Sequence, residues 1–207
     1  MRDRDVRVAL LDWLSDLHAG DPDTKIVEEM GVWSGTCRID VAVINGELTG
    51  FELKSERDTL QRLPTQAEIY GLVFDKIYLV STTKHLAAAR NIVPKWWGQL
   101  TVKTSKAGSL EIHQNRIAKH NPKIDSVILA SLLWKDEVIS LLDEYGLAKG
   151  NRSKSSQFLH RLLADQLEED VLRREVRSKL KQRNGWLGQV QSQSLDMPIH
   201  TEANPLS

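Results

Sequence analysis

Arg38-Ile39-Asp40-Val41-Ala42-Val43-Ile44-Asn45-Gly46-Glu47-Leu48-Thr49-Gly50-Phe51-Glu52-Leu53-Lys54 is the stretch whose reading decides the fold. Two apolar, β-rich runs flank Asn45-Gly46, a dipeptide suited to a two-residue hairpin turn. They predict strands over 38–45 and 47–54, and a third strand precedes them over 24–33. Residues two apart in a strand share a face, so Glu52 and Lys54 project together while Phe51 and Leu53 face the other way. By the same rule Arg38 and Asp40 share a face, with Ile39, Val41 and Val43 opposite. Across the hairpin Asp40 falls near the level of Phe51 and Glu52. Two carboxylates and an ammonium therefore gather at one end of a sheet, and burying them is costly unless they bind one another or a cation.

Outward from this hairpin the chain alternates helix and strand. Val6, Ala9, Leu10, Trp13, Leu14 and Leu17 carry helical periodicity, which Gly20 and Pro22 bring to an end. Pro64 suits an early helical position, and the helix it opens runs through Gln66, Ile69, Tyr70 and Val73. Lys76 to Ser81 reads as a buried strand and Thr83 to Asn91 as a helix that Pro94 ends. A hairpin over 100–104 and 110–114 follows. This order predicts an α/β fold, a mixed β-sheet flanked by helices. After Pro122 the chain is helical only: apolar positions 127 to 142, a polar loop over 151–156, and one long charged helix over 156–182. The expected units are a core over 1–120, a helical region over 121–184 and a flexible tail over 185–207.

Of the 207 residues, 41% are apolar and 27% charged, a soluble globular composition rather than a disordered one. No apolar run reaches the roughly 18 residues of a membrane span, and no apolar stretch follows the N-terminal charges as in a signal peptide. The expectation is a cytoplasmic protein without a membrane partner. A single cysteine, Cys37, excludes an internal disulfide and a multi-cysteine zinc cage; it reads as a small strand residue. The six histidines are scattered without metal-ligand spacing and are expected at the surface. Trp96-Trp97 reads as a packed edge, with a base-stacking platform as the rival. The 28 basic and 28 acidic residues cancel overall, yet residues 149–183 hold ten basic against five acidic ones. Neutrality of the whole chain thus does not exclude an anionic partner for that segment.

Paired carboxylates with open positions suit Mg²⁺ (or Mn²⁺), a hard ion that prefers oxygen and retains waters. A lysine beside such an ion can orient or help deprotonate a water, while the ion offsets charge developing on a phosphate. This is equipment for hydrolysing a phosphodiester. Asp40, followed after eleven residues by Glu52-x-Lys54, resembles the signature of the PD-(D/E)XK nuclease superfamily, the restriction-endonuclease-like fold. Gln66-x-x-x-Tyr70 resembles the QxxxY motif of its exonuclease-like branches. The stretch from Glu52 to Tyr70 and Pro94-Lys95-Trp96-Trp97-Gly98 look like small bacterial and phage proteins in that superfamily. The likeness covers about residues 5–100, although Ile39 stands where a proline is expected before the first acid.

The resemblance implies that Asp40 and Glu52 ligate a divalent metal, that Lys54 serves the hydrolytic water, and that Gln66 and Tyr70 orient the site or the DNA. It also implies a further upstream acid. Glu28 and Glu29 are adjacent, and alternation sends them to opposite faces. Glu28 shares parity with Ile26, Met30 and Val32, which are expected to be buried, so Glu29 is favoured and the choice stays open. The segment from Trp134 to Leu162 loosely resembles the helix-extension-helix pattern of SAP-like DNA-binding modules. Its Lys149, Arg152 and Lys154 form a loop suited to phosphates, with no acid between Lys149 and Lys154. The expected partner is nucleic acid, DNA first, and a homodimer is allowed. Two rival readings are an idle nuclease fold that binds nucleic acid or regulates, and an adaptor that binds protein along its long C-terminal helix.

Overall fold

A computed structural model describes residues 1–33 and 35–186. In chain order the elements are α1 (Asp3–Leu17), β1 (Lys25–Val32), β2 (Cys37–Ile44), β3 (Leu48–Lys54), α2 (Leu63–Tyr70), β4 (Lys76–Thr82), α3 (Thr83–Arg90), β5 (Gly98–Thr104) and β6 (Leu110–Arg116). The helices α4 (Ser126–Ala130), α5 (Lys135–Glu144), α6 (Ser156–Gln166) and α7 (Glu169–Gln182) follow. The strands form one mixed sheet in the order β1-β2-β3-β4-β5-β6. β1, β2 and β3 are antiparallel, β3, β4 and β5 run parallel through the α2 and α3 crossovers, and β6 is antiparallel to β5.

Each face of the sheet has its own apolar cover. Val6, Ala9, Leu10 and Leu14 of α1 pack on Val41, Val43, Phe51, Leu53, Val80 and Leu100. The opposite face is larger: Ile39, Ala42, Ile44, Ile77 and Leu79 join Tyr70 and Phe74, then Leu129, Leu141, Leu163, Val176 and Leu180, in one continuous core. The C-terminal helices thus share the core of the sheet. Buried Asp75 binds α7 to the sheet, accepting from the Leu48 N–H (2.7 Å), Arg173 (2.6 Å) and Arg177 (3.5 Å). Lys25 donates to the carbonyls of Lys181 and Arg183 (2.8 and 2.6 Å), satisfying backbone acceptors at the C-terminal end of α7.

Four expectations change. The hairpin after β2 has three loop residues, since Ile44 pairs with Leu48; Asn45 Oδ1 accepts the Glu47 N–H (3.0 Å), and this side-chain bond closes the wider loop. α2 stops at Tyr70, followed by tight turns to Phe74. The long helix over 156–182 is two helices, because Leu167 is extended (φ −106°, ψ 136°) and packs against the large core. Glu169 and Asp170 then occupy the first turn of α7, where the helix dipole favours acids. His85 and His160 are buried rather than superficial, and His160 Nε2 lies 3.1 Å from the Leu133 carbonyl. The tail expected over 185–207 lies, from residue 187 on, outside the described residues. Among the described residues no helix is long and apolar enough to cross a membrane.

Gly98 is required where β5 begins: a Cβ there would collide with the Tyr78 ring and sit 2.8 Å from the Ala118 nitrogen. Gly98→Ala is expected to destabilise the fold by about 1–3 kcal/mol through overpacking, whereas Gly46→Ala, where a Cβ meets open space, should be near neutral. Urea denaturation of the two variants checks the difference.

Candidate active site

β2 and β3 pair from Ile44↔Leu48 to Val41↔Phe51. Beyond that point Asp40 Oδ2 accepts the Leu53 backbone N–H at 2.7 Å, so a side chain takes a donor that continued pairing would have given to a backbone carbonyl. The alternation of β2 breaks at the same residue. Ile39 belongs to the large core with Ala42 and Ile44, whereas Val41 and Val43 face α1. Ile39 therefore does not share a face with Val41 and Val43 as strict alternation predicted. In β1 the break falls at Glu29, opposite Asp40, where φ is +54°. A left-handed residue costs of order 1–2 kcal/mol, and it ends the alternation that would have sent Glu28 and Glu29 to opposite faces.

Both acids instead reach Arg7 of α1. Arg7 binds Glu29 (2.8 Å), Glu28 (3.4 Å) and Asp40 Oδ1 (3.2 Å), and donates to the Asp40 carbonyl (3.0 Å). Burial opposes the charge on Arg7, yet the surrounding carboxylates, Asp40 foremost, raise its pKa overall. Sequence reasoning missed Arg7; its only signal was a position beside Val6 on the buried stripe of the first helix. Glu29 lines the cleft and meets Asp40 through this shared guanidinium.

On β3, Glu52 and Lys54 project together and Phe51 and Leu53 lie on the α1 side, as alternation predicts. Glu52 and Lys54 are buried and paired at 2.6 Å. α2 brings Gln66 and Tyr70 over them on one helix face. Gln66 Oε1 accepts from Lys54 (3.2 Å), and its Nε2 donates to the Tyr70 hydroxyl (3.4 Å). The Tyr70 hydroxyl reaches Glu52 Oε2 (3.0 Å) and the Arg38 carbonyl (2.6 Å). Burial first, then the charge of Glu52, raises its pKa, so the hydroxyl stays protonated and donates. Cys37, read as a plain strand residue, adds its sulfur 3.5 Å from the same hydroxyl. Asp40, Glu52, Lys54, Gln66 and Glu29 border one cleft of about 650 Å³, with Tyr70 buried behind it. Among the described residues no group of three or more His, Cys, Asp or Glu side chains is arranged to hold an ion.

Asp40 and Glu52 are electrostatically uneasy neighbours. Burial, reinforced by the charge of Glu52, pushes the Asp40 carboxyl up to about 7, against the Leu53 N–H, Arg7 and Lys54, which pull it down. Lys149, Arg152 and Lys154 lie apart, in the loop between α5 and α6. Arg152 is held bidentately by Asp143 (2.5 and 2.7 Å), so an acid outside the loop neutralises it, and Lys154 sits 5.6 Å above the Phe158 ring. Trp97 is fully buried and stacks on Tyr70, the packed role expected for it.

The fold and cleft define an α/β protein whose mixed sheet opens between two strands onto the half-buried Asp40 and the buried Glu52 and Lys54. The chain belongs to the bacteriophage P4 protein cII family, whose profile matches residues 1–195. It is 28% identical to Protein cII of Enterobacteria phage P4 over 189 residues, covering 88% of this chain and 68% of that one. A solved structure of a protein of unknown function from Silicibacter pomeroyi covers 75% of this chain and 95% of its own, at 16% identity and a TM-score of 0.45.

An acid whose folded-state pKa lies above its unfolded value favours the fold at low pH and loses that contribution as pH rises. For Asp40 the loss runs from about pH 4 to about pH 7. Asp40→Asn is expected to flatten this part of the stability–pH curve and to make the protein more stable than wild type at pH 8, by at most about 4 kcal/mol. Urea midpoints from pH 4 to 8 check the sign.

Proposed function

We propose that this protein is a metal-dependent nuclease acting on DNA, with Asp40, Glu52 and Lys54 at its centre. The observation that carries the reading is the convergence of Asp40, Glu52, Lys54 and Gln66 in one cleft, which the PD-(D/E)XK resemblance implies. The donor chemistry fits Mg²⁺: two carboxylates supply hard oxygen ligands, each oxygen keeps a second lone pair, and burial and the charge of Glu52 raise the pKa of Asp40. Asp40 and Glu52 would hold the ion, which when bound would lower the pKa of a water and offset charge on the phosphate. Lys54, which donates to Glu52 and Gln66, would orient that water through Nζ. Tyr70 holds Glu52 Oε2 in place from behind, and Arg7 holds Asp40 and Glu29.

A second reading, an idle nuclease fold that binds nucleic acid, draws on a specific observation. All four carboxylate oxygens of Asp40 and Glu52 already have protein partners: Arg7, Leu53, Lys54 and Tyr70. Calorimetric titration of the full chain with Mg²⁺ and Mn²⁺, beside a cleavage assay on linear, circular and single-stranded DNA, separates the two. The nuclease reading expects metal binding that Glu52→Gln abolishes and cleavage that needs the metal; DNA binding without either supports the idle fold.

Lys54→Ala is expected to lower turnover by about 10²-fold or more while DNA affinity stays within a few-fold. Cleavage at the wild-type rate would remove Lys54 from the chemistry. In the α5–α6 loop, Lys149 and Lys154 are the cations left to meet phosphates, since Arg152 is engaged with Asp143. Replacing both by Ala should weaken binding on every sequence alike and reduce the slope of log K against log salt by up to roughly 1.8. An unaltered slope would make the loop a solvated surface.

A further inference from the structure

A second cavity, of about 510 Å³, lies at the other end of the sheet between α3 and the β5–β6 edge, and it shares no lining residue with the acidic cleft. A β-bulge builds it. Gln99 pairs with Arg116 and Leu100 with Gln114, so Asn115 is the extra residue on β6. A bulge bends its strand and re-aims its side chains, and here Gln99, Asn115 and Arg116 all border the cavity, with Arg90 of α3 facing them.

The lining has the chemistry of an unmet anion. It contains no acidic residue, and among the described residues no carboxylate lies within 4 Å of Arg90 or Arg116. Burial, and then the like charge of Arg90, lowers the pKa of Arg116. The Arg116 Nε donates to the Trp97 carbonyl at 2.6 Å, which fixes the plane of the guanidinium, while its Nη2 is buried without a partner. Gln99 is 3% exposed and its Nε2 is likewise buried and unpartnered. Asn115 Oδ1 accepts from the Thr101 hydroxyl, so its amide N–H groups are left over as donors. A buried donor left unpaired costs about 1–3 kcal/mol. Here two such donors belong to residues that border one space, beside two like charges.

We infer that the cavity between α3 and the β5–β6 bulge is a phosphate-oxyanion site formed by Arg90, Gln99, Asn115 and Arg116. Tetrahedral oxyanions suit it because guanidinium forks and amide N–H groups can donate to several oxygens at once. The group arrives either as free phosphate or as a backbone phosphate of DNA. Neither source depends on the acidic cleft being catalytic.

The test is a titration of the full chain with sodium phosphate at constant ionic strength, against sodium chloride, read by calorimetry and thermal unfolding. Wild type should bind phosphate saturably and gain melting temperature. Arg90→Gln, at an exposed position that does not threaten folding, should weaken that binding about tenfold or more, and Gln99→Met should weaken it as well. Equal responses of wild type and Arg90→Gln, or no saturable binding, would overturn the inference. A third arm separates the sources. If Arg90→Gln also lowers DNA affinity and the salt slope by about 0.9, the occupant is backbone phosphate; if DNA binding is unchanged while phosphate binding falls, it is a free phosphate.

Discussion

When Asp40 Oδ2 accepts the Leu53 N–H, it satisfies a backbone donor that would otherwise demand a neighbouring strand. This bond lets β2 and β3 part beyond Val41↔Phe51 without leaving an orphan N–H in a buried place. The cleft follows from that parting. Ile39 and Val41 land on opposite faces, so β2 contributes to both cores, while the space beside β3 admits Glu52, Lys54 and the α2 side chains. The left-handed Glu29 on β1 is the counterpart of the same break, one strand further out.

Arg7 makes the break affordable. Its guanidinium meets Glu28, Glu29 and Asp40 and also takes the Asp40 carbonyl, gathering three acids that would repel one another. On the other side of β3 the Lys54–Glu52 pair is closed by Gln66 and Tyr70. A buried pair of this kind adds little net stability, because desolvation offsets its attraction, but loss of either partner strands a charge. Polar groups thus fix α1 and α2 to the sheet at the cleft, as Asp75 and Lys25 fix α7 away from it.

Much of this was legible in the sequence because β3 is a regular strand. Strict alternation over Phe51-Glu52-Leu53-Lys54 told which side chains travel together, and i, i+4 spacing put Gln66 and Tyr70 on one helix face. What was not legible depends on broken periodicity or on distant partners. A positive φ at Glu29 leaves no mark in a run of ordinary strand residues, so neither the shared face of Ile39 and Val41 nor the separation of Glu28 from Glu29 was predicted correctly. Arg7 left little mark in the sequence because its partners at the cleft lie 21 to 33 residues away. The division of the last helical stretch at Leu167 was signalled by Glu168-Glu169-Asp170, an acidic helix start hidden within a longer charged run. Arg152 looked free only because Asp143 stands outside the loop.

Two places in this sheet gather charges of one sign, and the two signs are opposite. In the cleft, Asp40 and Glu52 share a buried region and the proton affinity of Asp40 rises. At the β5–β6 bulge, Arg90 and Arg116 face each other without an acid. Register connects the two: Glu52 pairs with Leu79, Leu79 with Gln99, and Gln99 with Arg116, so one row across β3, β4, β5 and β6 runs from the acidic site to the basic one. With strands about 4.8 Å apart, the ends of that row are separated by three strand spacings, roughly 14 Å, and Leu79 of the apolar core lies between them. Charges so placed do not neutralise each other, because neither side chain can cross the core to reach the other. The acidic and the basic cluster are therefore separate places on one sheet, each surrounded by its own neighbours.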